Sequence, residues 1–271
     1  ITSRTVQVLK EYAELLAFYA AEKDLALSLI NEAISSPSLT AIMKSELKML
    51  QADIELLKGN VWEASLLYMQ ISEDFNFETI GNRAKFKSAR IFYYEGEFDF
   101  AQSQLDVLKQ STSKLLANDA LDLSIMITDN YGLDSNYIAM AWFSKADLFI
   151  EQLQFSKAFE LFDSIRENYP FHSLADEILC NRARAMELQG DWSLALGYYD
   201  DIIKFHGDDI LADNAIFKSA ELFEAKLNDK EAALVRYKQL LLKHPGSLYA
   251  HETRKRIRLL RGEKLEKEEE F

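Results

Sequence analysis

The chain has 271 residues, of which 48% are hydrophobic and 28% are charged, so it carries enough apolar material for a packed core. A net charge of −13 argues against a nucleic-acid binder, which needs Lys and Arg to neutralise phosphates, and against an anionic membrane surface. Nine Gly and three Pro leave little material for β-turns, so the composition favours an all-α protein.

Apolar periodicity, turn residues and prolines divide the chain into helices. Six helix pairs, one lone helix and one last helix are predicted, about fourteen helices in all. In chain order they cover 3–20 and 24–35, 40–57 and 61–74, 80–94 and 98–110, the lone helix 114–130, 136–151 and 155–168, 174–188 and 192–205, 211–226 and 230–243, and the last helix 248–261. The longest apolar runs are far shorter than the ~20 residues that a membrane span needs, so we expect no direct membrane insertion.

A repeated spacing of alanines connects these pairs. Each pair has a turn residue followed five positions later by Ala, at 26, 64, 101, 158, 195 and 233. The intervals are 38, 37, 57, 37 and 38, and the long one equals one repeat plus about one extra helix. Such a period is typical of stacked helix pairs, because a small Ala allows two helices to approach closely at their crossing.

The fourth pair carries the clearest series of small and aromatic positions. It contains, in order, Trp142, Ala146, Phe149, Leu153, Phe155, Ala158, Phe162 and Pro170. This series resembles the tetratricopeptide repeat (TPR) family, and the resemblance extends over about residues 5–247. The phrases LANDALDL, HSLADEIL and DILADNAIF are similar to TPR proteins of the Bacteroidetes type. The period of 37–38 residues exceeds the 34 residues of the family, so longer joints between pairs are predicted, and an insertion of 20 residues interrupts the series.

The resemblance implies a right-handed α-solenoid of about six TPR-like helix pairs with one inserted helix and a C-terminal capping helix. We predict an N-terminal arm of three pairs at 1–113, an inserted helix and connector at 114–135, a C-terminal arm of three pairs and a cap at 136–262, and a charged tail at 263–271. The 57-residue interval predicts that 114–135 breaks the regular superhelix.

No catalytic, cofactor or metal motif is found in the sequence, and we expect none of these sites. His206 and His244 fall at equivalent ends of second helices, where a partly charged imidazole suits the helix dipole. We interpret them as helix-end residues, because stacked repeats are expected to offer no converging second ligand. Cys180, the only cysteine, is interpreted as a small packing residue.

One cluster combines basic and aromatic residues: Arg83, Phe86, Lys87, Arg90, Tyr93 and Tyr94, of which the first five are the candidate groove residues. Spacings of three and four place Arg83, Phe86, Arg90 and Tyr93 on one face of a first helix, and the resemblance places that face in a concave groove. Two interpretations stay open. The cluster binds an acidic segment of a partner, or its aromatic rings pack locally while the cations pair with nearby Glu.

The predicted function is a non-enzymatic scaffold or adaptor that binds a protein or peptide partner in the concave groove. The alternative is a structural assembly component of a bacterial cell-envelope complex, and an enzyme whose catalytic part lies outside this chain is a third. The resemblance alone suggests a periplasmic or envelope-associated location, with the cytoplasm as the alternative. Ile1 in place of Met indicates a processed protein or a fragment.

Overall fold

The computed structural model describes residues 5–76, 78–111, 113–131 and 137–263. Within those ranges the chain forms fourteen helices and no strand, so the predicted all-α fold is confirmed. The helices are α1 Val6–Phe18, α2 Lys23–Ser35, α3 Ala41–Lys58, α4 Val61–Asp74, α5 Thr79–Tyr94, α6 Phe98–Leu108, α7 Lys114–Tyr131, α8 Tyr137–Glu151, α9 Phe155–Asn168, α10 Ala175–Gln189, α11 Trp192–Phe205, α12 Ala212–Ala225, α13 Lys230–Lys243 and α14 Ala250–Leu260.

The repeated alanines lie where the two helices of a pair cross. All six of them, Ala26, Ala64, Ala101, Ala158, Ala195 and Ala233, are 0% exposed. The partner alanines on the first helices, Ala52, Ala89, Ala146, Ala183 and Ala220, are equally buried. Four residues after the main Ala a bulky side chain fills the core one helical turn further on, as Tyr68, Phe162 and Tyr237 do. Adjacent-helix packing of this kind is typical of a TPR solenoid.

The turn inside each pair uses one backbone conformation. Gly59, Gly96 and Gly190 have positive φ angles of 93°, 80° and 77°. At the equivalent turns of the other three pairs, Ala21, Leu153 and Asn228 adopt φ of 59°, 58° and 52°. A left-handed residue ends the first helix and lets the chain reverse, and only glycine adopts this conformation without steric cost.

The chain forms two compact units, Ile1–Pro170 and Phe171–Phe271, called here the N-terminal and C-terminal units. In the N-terminal unit the first helices contact one another in the order α1, α3, α5 and α8. The lone helix α7 packs mainly on α6, where Gln102 and Ser124 exchange hydrogen bonds. Because α5 still contacts α8 directly, the inserted helix leaves this row of first helices continuous.

In the C-terminal unit, helices α10 to α14 pack in sequence order, and α14 covers the last pair through the buried Ile257. The predicted division at 114–135 and the break in the superhelix there stay predictions, and residues 132–135 of that segment lie outside the described residues. The same holds for 264–271 of the predicted tail. Crossing a membrane would require a longer and more apolar helix than any in the described ranges.

Candidate functional site

The candidate site lies on the row of first helices in the N-terminal unit. Its centre is α5, where Arg83, Lys87 and Arg90 follow one another at intervals of four and three residues. That spacing puts the three cationic side chains on one helix face. Because α5 lies between α3 and α8, both neighbours bring carboxylates to this face.

Each of these cations forms an ion pair with a neighbouring helix. Arg83 Nη1 lies 3.1 Å from Glu46 of α3, and Lys87 Nζ lies 2.6 Å from Asp53 of the same helix. Arg90 Nη2 lies 2.8 Å from Glu151 at the end of α8. The three pairs therefore connect three successive first helices, over sequence separations that no local pattern reveals.

Glu46 also receives a second cation, Lys10 of α1, at 2.9 Å. Although partial burial opposes ionisation, Lys10 and Arg83 together lower the pKa of the Glu46 carboxyl. Glu46 therefore stays ionised and links α1, α3 and α5.

Arg90 is the most enclosed of the three cations, with a side chain 26% exposed. Its guanidinium lies 5.3 Å from the centre of the Tyr94 ring, within the range of a cation–π contact. Burial opposes the charge, but the surrounding Tyr94, Glu151 and Asp147 outweigh it and raise the pKa of Arg90 above its ordinary value. The guanidinium is therefore a fixed positive charge in this surface.

Asp53 accepts a second hydrogen bond, from the hydroxyl of Tyr68 at 2.5 Å. Tyr68 is the core residue of α4, so this bond ties the second helix of the pair to the first. Burial, and then the charge of Asp53, raises the pKa of the Tyr68 phenol above its ordinary value. Tyr68 therefore stays protonated at neutral pH and donates its hydrogen bond to Asp53.

These groups surround a cavity of about 210 Å³, called here the groove cavity. Its walls are Phe18, Asp53, Leu56, Tyr68, Lys87, Arg90, Tyr94 and Glu151. Two cations, two carboxylates and two phenols face one space together with apolar Phe18 and Leu56. Such a mixture suits a peptide segment, which presents both backbone polar groups and apolar side chains.

An exposed apolar stripe runs along α1, the helix that contributes Phe18 to the groove cavity. It consists of Val8, Tyr12, Leu15 and Tyr19, each more than half exposed. Intervals of four, three and four residues place them on one helix face. Phe18, which lines the groove cavity, belongs to the same helix but is partly buried and packs against the core.

The predicted cluster is only partly correct in detail. Arg83 is exposed, and Phe86, Lys87 and Arg90 are partly buried. The expectation that Tyr93 is solvent-accessible is wrong, because its side chain is 0% exposed and packs against Tyr94 and Phe98, with ring centres 5.4 and 6.1 Å apart. The residue that lines the cavity is Tyr94.

Sequence reasoning missed two parts of this surface. The exposed face of α1 was visible as a spacing of apolar residues, but the same spacing also describes a helix face buried in the core. The tyrosine was assigned to the wrong face by a single position, since one residue turns a helix by about 100°. Whether the cluster binds a partner stays a prediction.

The interpretation of His206 also needs a correction. Its Nδ1 lies 3.0 Å from Asp209 Oδ2, and one ligand atom each from Asp176, His206 and Asp209 fall within 4.8 Å of one another. The expectation that no second ligand converges on this histidine is therefore wrong. Asp176 lies in the first turn of α10. Because α10 and α11 pack against each other as an antiparallel pair, this turn lies beside the end of α11.

Comparisons with known proteins bear on the last pair. The family model described as Tetratricopeptide repeat matches residues 214–247, which span most of α12 and all of α13. A tetratricopeptide repeat protein from Parabacteroides merdae is similar in structure, with 12% identity, a TM-score of 0.40, and 96% of this chain and 100% of that chain covered. No curated protein matches the chain.

Repeats of this family generally form scaffolds that bind proteins or peptides and do not catalyse reactions. The matched repeat has the same buried alanine and left-handed turn position as the other five pairs. The family model thus assigns a tetratricopeptide repeat to residues 214–247.

Proposed function

We propose that this chain is a non-enzymatic scaffold that binds a segment of a partner protein across the first helices of its N-terminal unit. The observation that carries this proposal is the groove cavity, whose wall includes Phe18 of α1, the helix that also carries the exposed apolar stripe. A partner that contacts both covers apolar surface on α1 and reaches polar groups of α3, α5 and α8.

The apolar stripe supplies most of the affinity in this proposal. Tyr12 and Leu15 are each about half exposed, so a partner that covers them removes apolar area from water. Full burial of a large apolar side chain contributes about 1.5–3 kcal/mol, and tyrosines are frequent among residues that dominate interfaces. Binding at this stripe therefore requires a segment with its own apolar side chains.

The cations supply selectivity for an acidic segment. Arg83 uses Nη1 for Glu46, and its side chain remains 46% exposed. A guanidinium has five N–H donors, so Arg83 can donate hydrogen bonds to a second carboxylate while it keeps its bond to Glu46. Lys87 and Arg90 are held in place by Asp53 and Glu151, and they favour a partner carboxylate over a partner cation only weakly, because their charges are already balanced.

A peptide library displayed on phage tests the proposal directly. Peptides are selected on the wild-type chain, and the enriched ones are measured for binding to Leu15→Asp and to Arg83→Ala. We expect apolar peptides that contain Asp or Glu. Leu15→Asp should abolish their binding, because a charge replaces the apolar contact, and Arg83→Ala should weaken binding by about 5- to 10-fold.

Leu66→Asp is the matched control, because Leu66 of α4 is 59% exposed and Leu15 is 54% exposed. We expect the selected peptides to bind this variant as they bind the wild type. Enriched peptides that bind both Leu15→Asp and Arg83→Ala with unchanged affinity, or the absence of any enriched peptide, would contradict the proposal.

A second candidate function uses the second helices. Trp62, Leu66 and Met69 form an exposed apolar stripe on α4, at intervals of four and three residues. Beside it, Met69, Phe92 and Phe100 border a cavity of about 280 Å³. This surface favours the alternative of a structural component that docks into a larger assembly. Peptides that lose binding to Leu66→Asp alone would support it; an envelope location stays a prediction.

A further inference from the structure

We propose that Asp176, His206 and Asp209 of the C-terminal unit form a binding site for a divalent zinc ion. The site lies where the end of α11 meets the first turn of α10. Imidazole nitrogen and carboxylate oxygen are both ligands of Zn²⁺, and three protein ligands leave one position for water or for a group of a partner.

The distances are close to those that a tetrahedral ion requires. With metal–ligand bonds of about 2.0–2.2 Å, the donor atoms of a tetrahedral zinc site lie roughly 3.4 Å apart. His206 Nδ1 and Asp209 Oδ2 are 3.0 Å apart already. All three ligand atoms lie within 4.8 Å of one another, so binding requires side-chain movements of only about 1 Å.

The burial of Asp176 is a second, independent indication. This residue is 7% exposed, and no side chain in the described part of the chain gives it an ion pair or a hydrogen bond. A buried carboxylate without a compensating partner is unfavourable, and such groups are normally paired or bound to a metal. Zn²⁺ between Asp176 and His206 would supply the missing positive charge.

The next repeat contains the same turn and an equivalent histidine but lacks the two carboxylates. Thirty-eight residues further on, His244 is equivalent to His206, Asn214 to Asp176 and Ser247 to Asp209. The two turns have equivalent backbone hydrogen bonds. Asp209 N donates to His206 O, and Ser247 N donates to His244 O, each at 3.0 Å. The turn therefore forms without the two carboxylates, and their presence around His206 needs another explanation.

The test measures Zn²⁺ binding to the full chain by calorimetry and by competition with a chromophoric chelator. The variants are His206→Gln and Asp176→Asn, and His244→Gln is the matched control. We expect one site of micromolar affinity or tighter in the wild type and in the control. Each ligand variant should weaken it by at least about 10-fold, since even loss of an outer-shell partner weakens metal binding by about 10- to 100-fold.

Circular dichroism and thermal unfolding verify that each variant is folded. Should Asp176→Asn not fold, Asp209→Asn on the exposed turn replaces it. Co²⁺ provides a spectroscopic check: we expect the absorption bands of a four-coordinate site in the wild type and their loss in His206→Gln. The absence of a micromolar site in the wild type, or a site that His206→Gln leaves unchanged, would overturn the proposal.

Discussion

The N-terminal and C-terminal units use the same three-residue connection between neighbouring repeats. A tyrosine of a second helix donates to a carboxylate of its own first helix, and a cation of a later helix pairs with that carboxylate. In the N-terminal unit the three groups are Tyr68, Asp53 and Lys87, with distances of 2.5 and 2.6 Å. In the C-terminal unit they are Tyr237, Glu224 and Arg256, with distances of 2.7 and 3.5 Å.

What differs between the units is the surrounding of the cation. Lys87 has one carboxylate partner and borders the groove cavity. Arg256 of α14 faces three: its Nε is 2.8 Å from Glu252, its Nη1 3.5 Å from Glu224 and its Nη2 3.8 Å from Glu221. In the C-terminal connection, a carboxylate faces each of the three guanidinium nitrogens of Arg256. This suits a terminal helix that covers the last pair. The N-terminal connection leaves a polar opening, and for this reason we place the partner site there.

The largest expected effect tests whether the two units really share one construction. Ala101→Leu in the N-terminal unit and Ala195→Leu in the C-terminal unit each force a bulky side chain into a close helix crossing. Each should lower the free energy of unfolding by about 1–3 kcal/mol, measured by urea denaturation. Both alanines are 0% exposed.

Leu194→Ala, at a position 53% exposed beside Ala195, is the control and should change stability by no more than about 0.5 kcal/mol. An unaltered midpoint for Ala195→Leu beside a lowered one for Ala101→Leu would show that the alanines do not play the same role in both units.

A smaller effect tests the difference between the two cations. Lys87 and Arg256 have equal side-chain exposure, 34% each, so solvent screening is matched. Lys87→Met should cost about 0.5–1 kcal/mol, because Asp53 keeps its bond from Tyr68. Arg256→Met should cost more, about 1–2 kcal/mol, because three neighbouring carboxylates lose their shared counter-charge. Equal losses in denaturant titrations of the two variants would remove the distinction.

The turns allow a change in the stabilising direction. Ala21 of the N-terminal unit is exposed and has φ of 59°, so Ala21→Gly should raise the free energy of unfolding by about 0.5–1 kcal/mol. Asn228 of the C-terminal unit has φ of 52°, but Asn tolerates this region, so Asn228→Gly should remain within about 0.5 kcal/mol.

Gly59→Ala is the reverse control, and thermal unfolding measures all three variants. A Cβ at Gly59 would meet no atom within 4 Å, so the variant isolates backbone strain and should lose about 1 kcal/mol. A destabilised Ala21→Gly would mean that the turn of pair one relaxes differently from its equivalents.

Cys180 of α10 is partly buried and probes the packing of the C-terminal unit with little effect on stability near neutral pH. Burial, more than any neighbouring charge, raises the pKa of its thiol to about 12. At pH 8 alkylation by iodoacetamide should therefore be at least about 100-fold slower in the folded chain than in urea. Because the unfolded thiol ionises near pH 9 and the folded one does not, its contribution to stability is lost as pH rises above about 9. Equal alkylation rates in both states would contradict this burial.

The sequence by itself determined the construction of the pairs. The alanine spacing, the turn residues and the bulky residue one turn later are local features, and each depends on positions a few residues apart. They predicted each described helix, the positions of the six turns and the buried alanines. The 57-residue interval between alanines correctly predicted an added helix, α7, because an extra helix between two pairs lengthens the interval.

Only the tertiary structure decided which side chains meet. Arg90 and Glu151 are 61 residues apart, and they meet because α7 packs on α6 and leaves α8 free to contact α5. Tyr93 and Tyr94 are both buried, but Tyr94 lines the cavity and Tyr93 does not, because one position along a helix turns a side chain by about 100°. Asp176 lies near His206 because, in an antiparallel pair, the start of the first helix lies beside the end of the second helix. Local spacing fixes the face of a helix, whereas a partner on another helix is fixed only when the helices are packed.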